Sequence, residues 1–117
     1  MLNYRMLPAE RVEFVSVARV EELQPGERAI FEIGDRSIAV FQIAGRYFAI
    51  ADLCSHDDGP VAEGQVTGEE VECPRHGARF SLETGKALSL PAVVDIPAYP
   101  VRVLDGEIQV GLPNDTP

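Results

Sequence analysis

Short runs rich in Val, Ile and Phe, broken by turn residues, dominate the chain. Val12 to Val17, Ala29 to Ile33, Ser37 to Ile43 and Arg46 to Ala51 each match a strand better than a helix. Gly34-Asp35, Ala44-Gly45 and Asp105-Gly106 stand where tight hairpin turns are needed, the last between Val101–Leu104 and the alternating run Glu107–Val110. Shorter strands are expected around Glu70 to Glu72 and from Arg79 to Leu82. Only Ala18 to Leu23 reads as helical, and Pro25-Gly26 ends it within a turn or two. The pattern predicts an all-β, antiparallel fold, with a flexible tail over Pro113 to Pro117.

Composition narrows the class. With 117 residues, 45% of them hydrophobic, one domain with a modest core is expected over residues 1–117. There is no repeat, and no apolar run approaches the length of a membrane span. The start, Met1 to Pro8, lacks the apolar core of a secretion signal, so a soluble, cytoplasmic protein is expected. Nineteen acidic and ten basic side chains leave a net charge of −9, which argues against nucleic acid as a partner. Most of that charge serves solubility, but an acidic carrier can also be steered toward basic patches on its partners.

The chemistry is concentrated in four residues. The chain has two cysteines and two histidines, and they form Cys54-Ser55-His56, a sixteen-residue interval, and Cys73-Pro74-Arg75-His76. Two thiolates and two imidazoles from two loops make a ligand set for a metal centre. Committing both thiols to a metal leaves none for a disulfide, which suits a reducing compartment. Zinc also accepts two Cys and two His, but zinc modules pair like with like, and here each pair is mixed.

Leu53 to Pro60 and Glu72 to Phe80 resemble the two cluster loops of the Rieske [2Fe–2S] family, including Gly77 directly after the second His. Leu90-Pro91-Ala92 is similar to the proline loop covering the cluster in that family. The resemblance implies an antiparallel β-sandwich or barrel-like domain carrying a small cluster-binding subdomain, with ligand loops at about 52–60 and 72–80 and a proline loop at about 89–92. It implies one [2Fe–2S] cluster per chain, with Cys54 and Cys73 on the inner iron, and His56 and His76 on the outer iron through Nδ1. Pro74 and Gly59 would shape the loop turns, and Asp57 and Asp58 lie beside a ligand.

Departures from the wider family sharpen the expectation. Rieske proteins of cytochrome bc complexes carry an extra Cys in each loop, where this chain has Gly59 and Arg75. They also place a Ser and a Tyr hydroxyl near the cluster, at positions matching Ala78 and Phe80. Without those hydroxyls the potential should lie at the low end of the His/Cys range, near about −150 mV. An oxygenase needs a further mononuclear iron held by two His and a carboxylate, and both His are already committed. The resemblance therefore implies a ferredoxin carrying one electron from an NAD(P)H-dependent flavin reductase to a Rieske dioxygenase or another redox acceptor, and nothing in the sequence demands more than a monomer. Two other roles stay open within the same family: a small subunit of a nitrite reductase, and a ferredoxin serving iron–sulfur assembly.

Overall fold

The structure, a computed structural model, describes residues 3–53, 60–74, 77–90 and 94–114. Among these, the long hairpins follow the sequence pattern: β1 (Val12–Arg19), β2 (Arg28–Ile33), β3 (Arg36–Ile43), β4 (Arg46–Ala51), β9 (Val101–Leu104) and β10 (Glu107–Pro113). The Ala44-Gly45 turn takes φ of 51° and 86° at its two residues. That is the left-handed pair that lets a two-residue loop match the twist of β3 and β4. Three shorter pairings complete the sheets: β5 (Val66–Thr67), β6 (Glu70–Glu72) and β7 (Arg79–Ser81) form one, and β8 (Ala98–Tyr99) adds to β4.

These strands build three antiparallel sheets, ordered β1-β10-β9, β2-β3-β4-β8 and β5-β6-β7. The middle sheet is covered on both faces. Strand side chains alternate, so Ile38 and Val40 of β3, with Ala49 and Ala51 of β4, face Ile108, Val110 and Tyr99. Their neighbours Ala39, Phe41, Phe48 and Ile50 face the opposite way, toward Val71 and Phe80 of the third sheet and Cys73 just beyond β6. This accounts for the unbroken buried run in β3, where a half-exposed strand would alternate. Gln42, the polar residue in that run, is satisfied: its Nε2 donates to the Leu23 carbonyl at 2.8 Å and its Oε1 accepts from Gly45 N–H at 3.0 Å.

Two expectations need correction. Ala18 and Arg19 are not helical. The β1 register slips between Ser16 and Ala18, leaving Val17 as a bulge, after which Ala18 pairs with Ile108 and Arg19 with Glu107. What remains is a single 3-10 turn, Val20–Glu22, where Glu22 Oε1 accepts from Arg19 N–H at 2.7 Å. The tail also starts later than Pro113. Pro113 pairs with Val12, and Asn114 N–H donates to the Arg11 carbonyl at 2.7 Å; residues 115–117 lie outside the described part.

Candidate metal centre

The first ligand loop leaves the middle sheet at the end of β4. Asp52 N–H donates to the Ser37 carbonyl at 2.9 Å, which holds the exit against β3. Its carboxylate then reaches across the loop: Oδ1 accepts from Val61 N–H at 2.9 Å and Ala62 N–H at 2.8 Å. The loop is thereby pinned at both ends by one side chain. Residues 54–59, and with them Cys54, His56, Asp57, Asp58 and Gly59, lie outside the described residues, but their two anchors are well defined. Leu53 packs against both hydrophobic clusters, while Val61 and Ala62 are buried beside Cys73.

The second loop is the turn of the β6-β7 hairpin. Cys73 N–H donates to the Ala78 carbonyl at 2.6 Å and Gly77 N–H to the Cys73 carbonyl at 3.0 Å, which ties the two ends of the loop together. Cys73 is buried, with 1% of its surface exposed, and is a free thiol; Pro74 beside it is exposed. His76 and Arg75 lie outside the described residues. Of the four expected ligands, the structure thus places Cys73. Ala78 and Phe80 are both fully buried, and neither position offers a hydroxyl to a neighbouring sulfur.

A third loop rises next to these two. Leu88 N–H donates to the Arg79 carbonyl at 2.8 Å, and Ser89 Oγ accepts from Arg79 N–H at 3.0 Å. Its base is tied twice: Asp95 Oδ1 accepts from Ala87 N–H at 2.8 Å, and Ile96 N–H donates to the Gly85 carbonyl at 2.8 Å. Gly85 is required there, since a Cβ would stand 1.9 Å from the Ile96 carbonyl oxygen. Leu90 is 77% exposed at the start of the expected proline loop, and Pro91 and Ala92 lie outside the described residues.

The arrangement fits a metal cluster in one respect that sequence cannot supply. The stems of both ligand loops, Val61 and Ala62 from one and Cys73 and Ala78 from the other, share one buried cluster, with Leu53 against it. The stems of the two loops therefore share a dry floor, and the Cys73 side chain is kept from bulk water. Such seclusion, with backbone N–H groups around the sulfurs, is how a protein tunes an iron–sulfur centre. The nearby charges are exposed and paired: Arg79 Nε lies 3.3 Å from Glu72 and its Nη1 3.9 Å from Glu70, while Arg46 meets Glu69 and Glu83. Each such surface pair is worth about 1 kcal/mol at most.

Asp52, Gly64, Gly85, Arg28 and Asp95 are the residues that reading the sequence missed. In sequence they look like ordinary turn formers or strand charges. One clue was present for Asp52, an Asp at a strand end directly before a loop, where its carboxylate can bind backbone N–H groups further along.

Comparison with known proteins agrees with this geometry. The family model described as "Rieske [2Fe-2S] domain" matches residues 13–100. The 3-phenylpropionate/cinnamic acid dioxygenase ferredoxin subunit of Escherichia coli (strain K12) is 46% identical over 81 residues, which cover 68% of this chain and 76% of that protein. The solved ferredoxin of carbazole 1,9a-dioxygenase from Nocardioides aromaticivorans IC177 superposes with a TM-score of 0.78 at 35% identity, covering 83% of this chain and 95% of that one. A Mycobacterium tuberculosis chain described as a putative NADH-dependent nitrite reductase small subunit has the same TM-score at 25% identity, covering 86% of this chain and 96% of that one. Two of these three relatives are ferredoxins of dioxygenase systems, and with the family model matched over most of its length, this chain belongs to the Rieske [2Fe–2S] family.

Proposed function

We propose that the chain is a soluble, cytoplasmic, low-potential ferredoxin that holds its [2Fe–2S] cluster through Cys54, His56, Cys73 and His76. It would accept one electron from an NAD(P)H-dependent flavin reductase and deliver it to a Rieske oxygenase of an aromatic-ring dioxygenase system. The observation that carries the ligand assignment is the buried floor shared by Cys73 and the stems of the loop that bears Cys54 and His56. When bound, the cluster supplies a reversible one-electron couple, stored at the His-ligated iron. The chain's own part is to seclude the Cys73 thiolate and hold the stems of the two loops at a fixed spacing.

The oxygenase is favoured as acceptor over a nitrite reductase by identity. The dioxygenase ferredoxin subunit and the carbazole dioxygenase ferredoxin are 46% and 35% identical, against 25% for the nitrite reductase subunit. An acidic chain, with net charge −9, suits brief, steered encounters with basic surfaces.

The test has two parts. EPR of the dithionite-reduced protein, with iron and sulfide analysis, should give a rhombic S = 1/2 signal and about two irons per chain. Replacing any of the four ligands by Ala should abolish it. About one zinc per chain and no sulfide would refute the assignment. The second part is reconstitution with a flavin reductase and an aromatic-ring oxygenase: NADH-dependent product formation should require this protein. Reduction by the reductase without onward transfer to any oxygenase would refute the acceptor.

A further inference from the structure

Residues 61–64 follow the first ligand loop in the chain and lie against the end of β6, which leads into the second. Val61 follows Pro60 at the return of the first loop, and Gly64 lies against Glu72, the residue before Cys73. The approach is so close that a Cβ on Gly64 would sit 1.8 Å from the Glu72 carbonyl oxygen. Gly64 N–H closes the turn on the Val61 carbonyl at 3.0 Å, and Glu72 N–H donates to the Gln65 carbonyl at 2.9 Å. The backbone of this turn is the spacer that registers one ligand loop on the other.

Two charged side chains from the middle sheet grip that spacer with opposite polarity. Asp52 at the end of β4 takes the N–H groups of Val61 and Ala62. Arg28 on β2 donates through Nη1 to the carbonyl of Ala62 at 2.9 Å and also to that of Gly64. Its guanidinium lies over the Phe41 ring, 5.5 Å from the centroid, which fixes the position from which it donates. Hydrogen bonds to an ionised partner are shorter and stronger than neutral ones. Four such bonds, on the N–H groups of Val61 and Ala62 and the carbonyls of Ala62 and Gly64, hold the turn from two sides.

We propose that Asp52 and Arg28 are positioning residues: through the 61–64 turn they set the spacing of the first ligand loop relative to Cys73, and so the geometry of the iron ligands. The inference rests on the ligand set proposed above. A merely stabilising role would lower the melting temperature and leave the cluster's spectrum unmoved. A positioning role moves the spectrum and the rate of iron loss in a protein that remains folded.

The test compares the holoprotein with Asp52→Ala, Asp52→Asn and Arg28→Met, each checked for fold by far-UV circular dichroism. The readouts are the EPR g values of the reduced protein and the rate at which a ferrous chelator removes iron. Asp52→Ala and Arg28→Met should shift the g values and speed iron release by about tenfold, about what loss of 1.4 kcal/mol of restraint would do. Asp52→Asn, which keeps an oxygen acceptor, should restore both toward the parent. Unmoved g values and release rates in the Ala and Met variants would overturn the inference, as would an Asn variant that behaves like Ala. Should Asp52→Ala not fold, hydrogen exchange of the unaltered holoprotein decides. The Val61 and Ala62 amides are expected to be protected, and exchange at the rate of a free peptide overturns the proposal. A silent spectrum from the unaltered protein would instead remove the ligand set on which the inference stands.

Discussion

Gly64→Ala tests the closest backbone approach beside the candidate centre. The added Cβ would lie 1.8 Å from the Glu72 carbonyl oxygen and 2.8 Å from the carbonyl carbon, where ordinary contact begins at 3.4 Å. Relief requires the turn and the end of β6 to separate by roughly 1.5 Å, more than a well-packed interior absorbs without rearrangement. That movement breaks the Gly64-to-Val61 and Glu72-to-Gln65 hydrogen bonds and strains the grip of Arg28 and Asp52. Each lost bond costs about 1 kcal/mol, and more where the partner stays buried. The expected destabilisation is about 2–4 kcal/mol, a large part of what such a domain possesses. In a chain of this size that lowers the melting temperature by about 10 °C. The assay is thermal unfolding of the holoprotein by far-UV circular dichroism at one fixed scan rate, since cluster loss makes unfolding irreversible. Glu63→Ala, an exposed neighbour in the same turn, is the control and should cost less than about 0.5 kcal/mol. A Gly64→Ala melt within about 2 °C of the parent would show that the turn yields freely, and the reasoning from close approach would fail.

Two further outcomes follow from buried side chains. Ala78→Ser and Phe80→Tyr should each raise the reduction potential by about 40 mV, the one-electron equivalent of a hydrogen bond about 1 kcal/mol stronger in the reduced state. A potential lowered or unchanged in both, measured by EPR-monitored titration, would refute the link proposed between the missing hydroxyls and a low potential. Tyr99, almost wholly buried, has its phenol raised above the ordinary value by desolvation, with the Arg36 guanidinium at 3.2 Å opposing the shift. The fold therefore favours the neutral phenol. Its contribution to stability is full below about pH 10 and is lost as pH rises through the folded value. Ultraviolet titration should show a late tyrosine step that Tyr99→Phe removes; a late step that persists in the variant would assign it elsewhere.

How much of this was legible in the sequence depends on what each residue answers to. The strands β2 to β4 were legible because their Val, Ile and Phe content and their two-residue turns are local signals. The pairs β5 and β8 were not: Val66 and Thr67 are strand because Val71 and Glu70 lie opposite them, and Ala98 and Tyr99 because β4 offers a free edge. Ala18 and Arg19 misled because one bulged residue, Val17, restores the ladder beyond the point where alternation breaks. Pro113 resembled a tail residue, yet a proline at a strand end gives up only an N–H that needs no partner there.

The same division runs through the candidate site. Metal chemistry admits few residue types, so two Cys and two His in mixed pairs stand out from any background. The scaffold that spaces them answers only to backbone groups far away in the chain: Asp52 to N–H groups nine and ten residues on, Arg28 to carbonyls thirty-four and thirty-six residues on, Gly64 to a single carbonyl of β6. None of these has a composition signal, because Asp, Arg and Gly are ordinary residues in turns and on strands. It follows that grafting Cys54, His56, Cys73 and His76 with their loops onto another β-scaffold would carry the chemistry without its geometry. A graft that adds counterparts of Asp52, Arg28 and Gly64 should retain iron through a chelator challenge that strips the loop-only graft about tenfold faster, for the same 1.4 kcal/mol of restraint. Equal retention by the two grafts would show that the loops carry their own register, and that the grip on residues 61–64 serves stability alone.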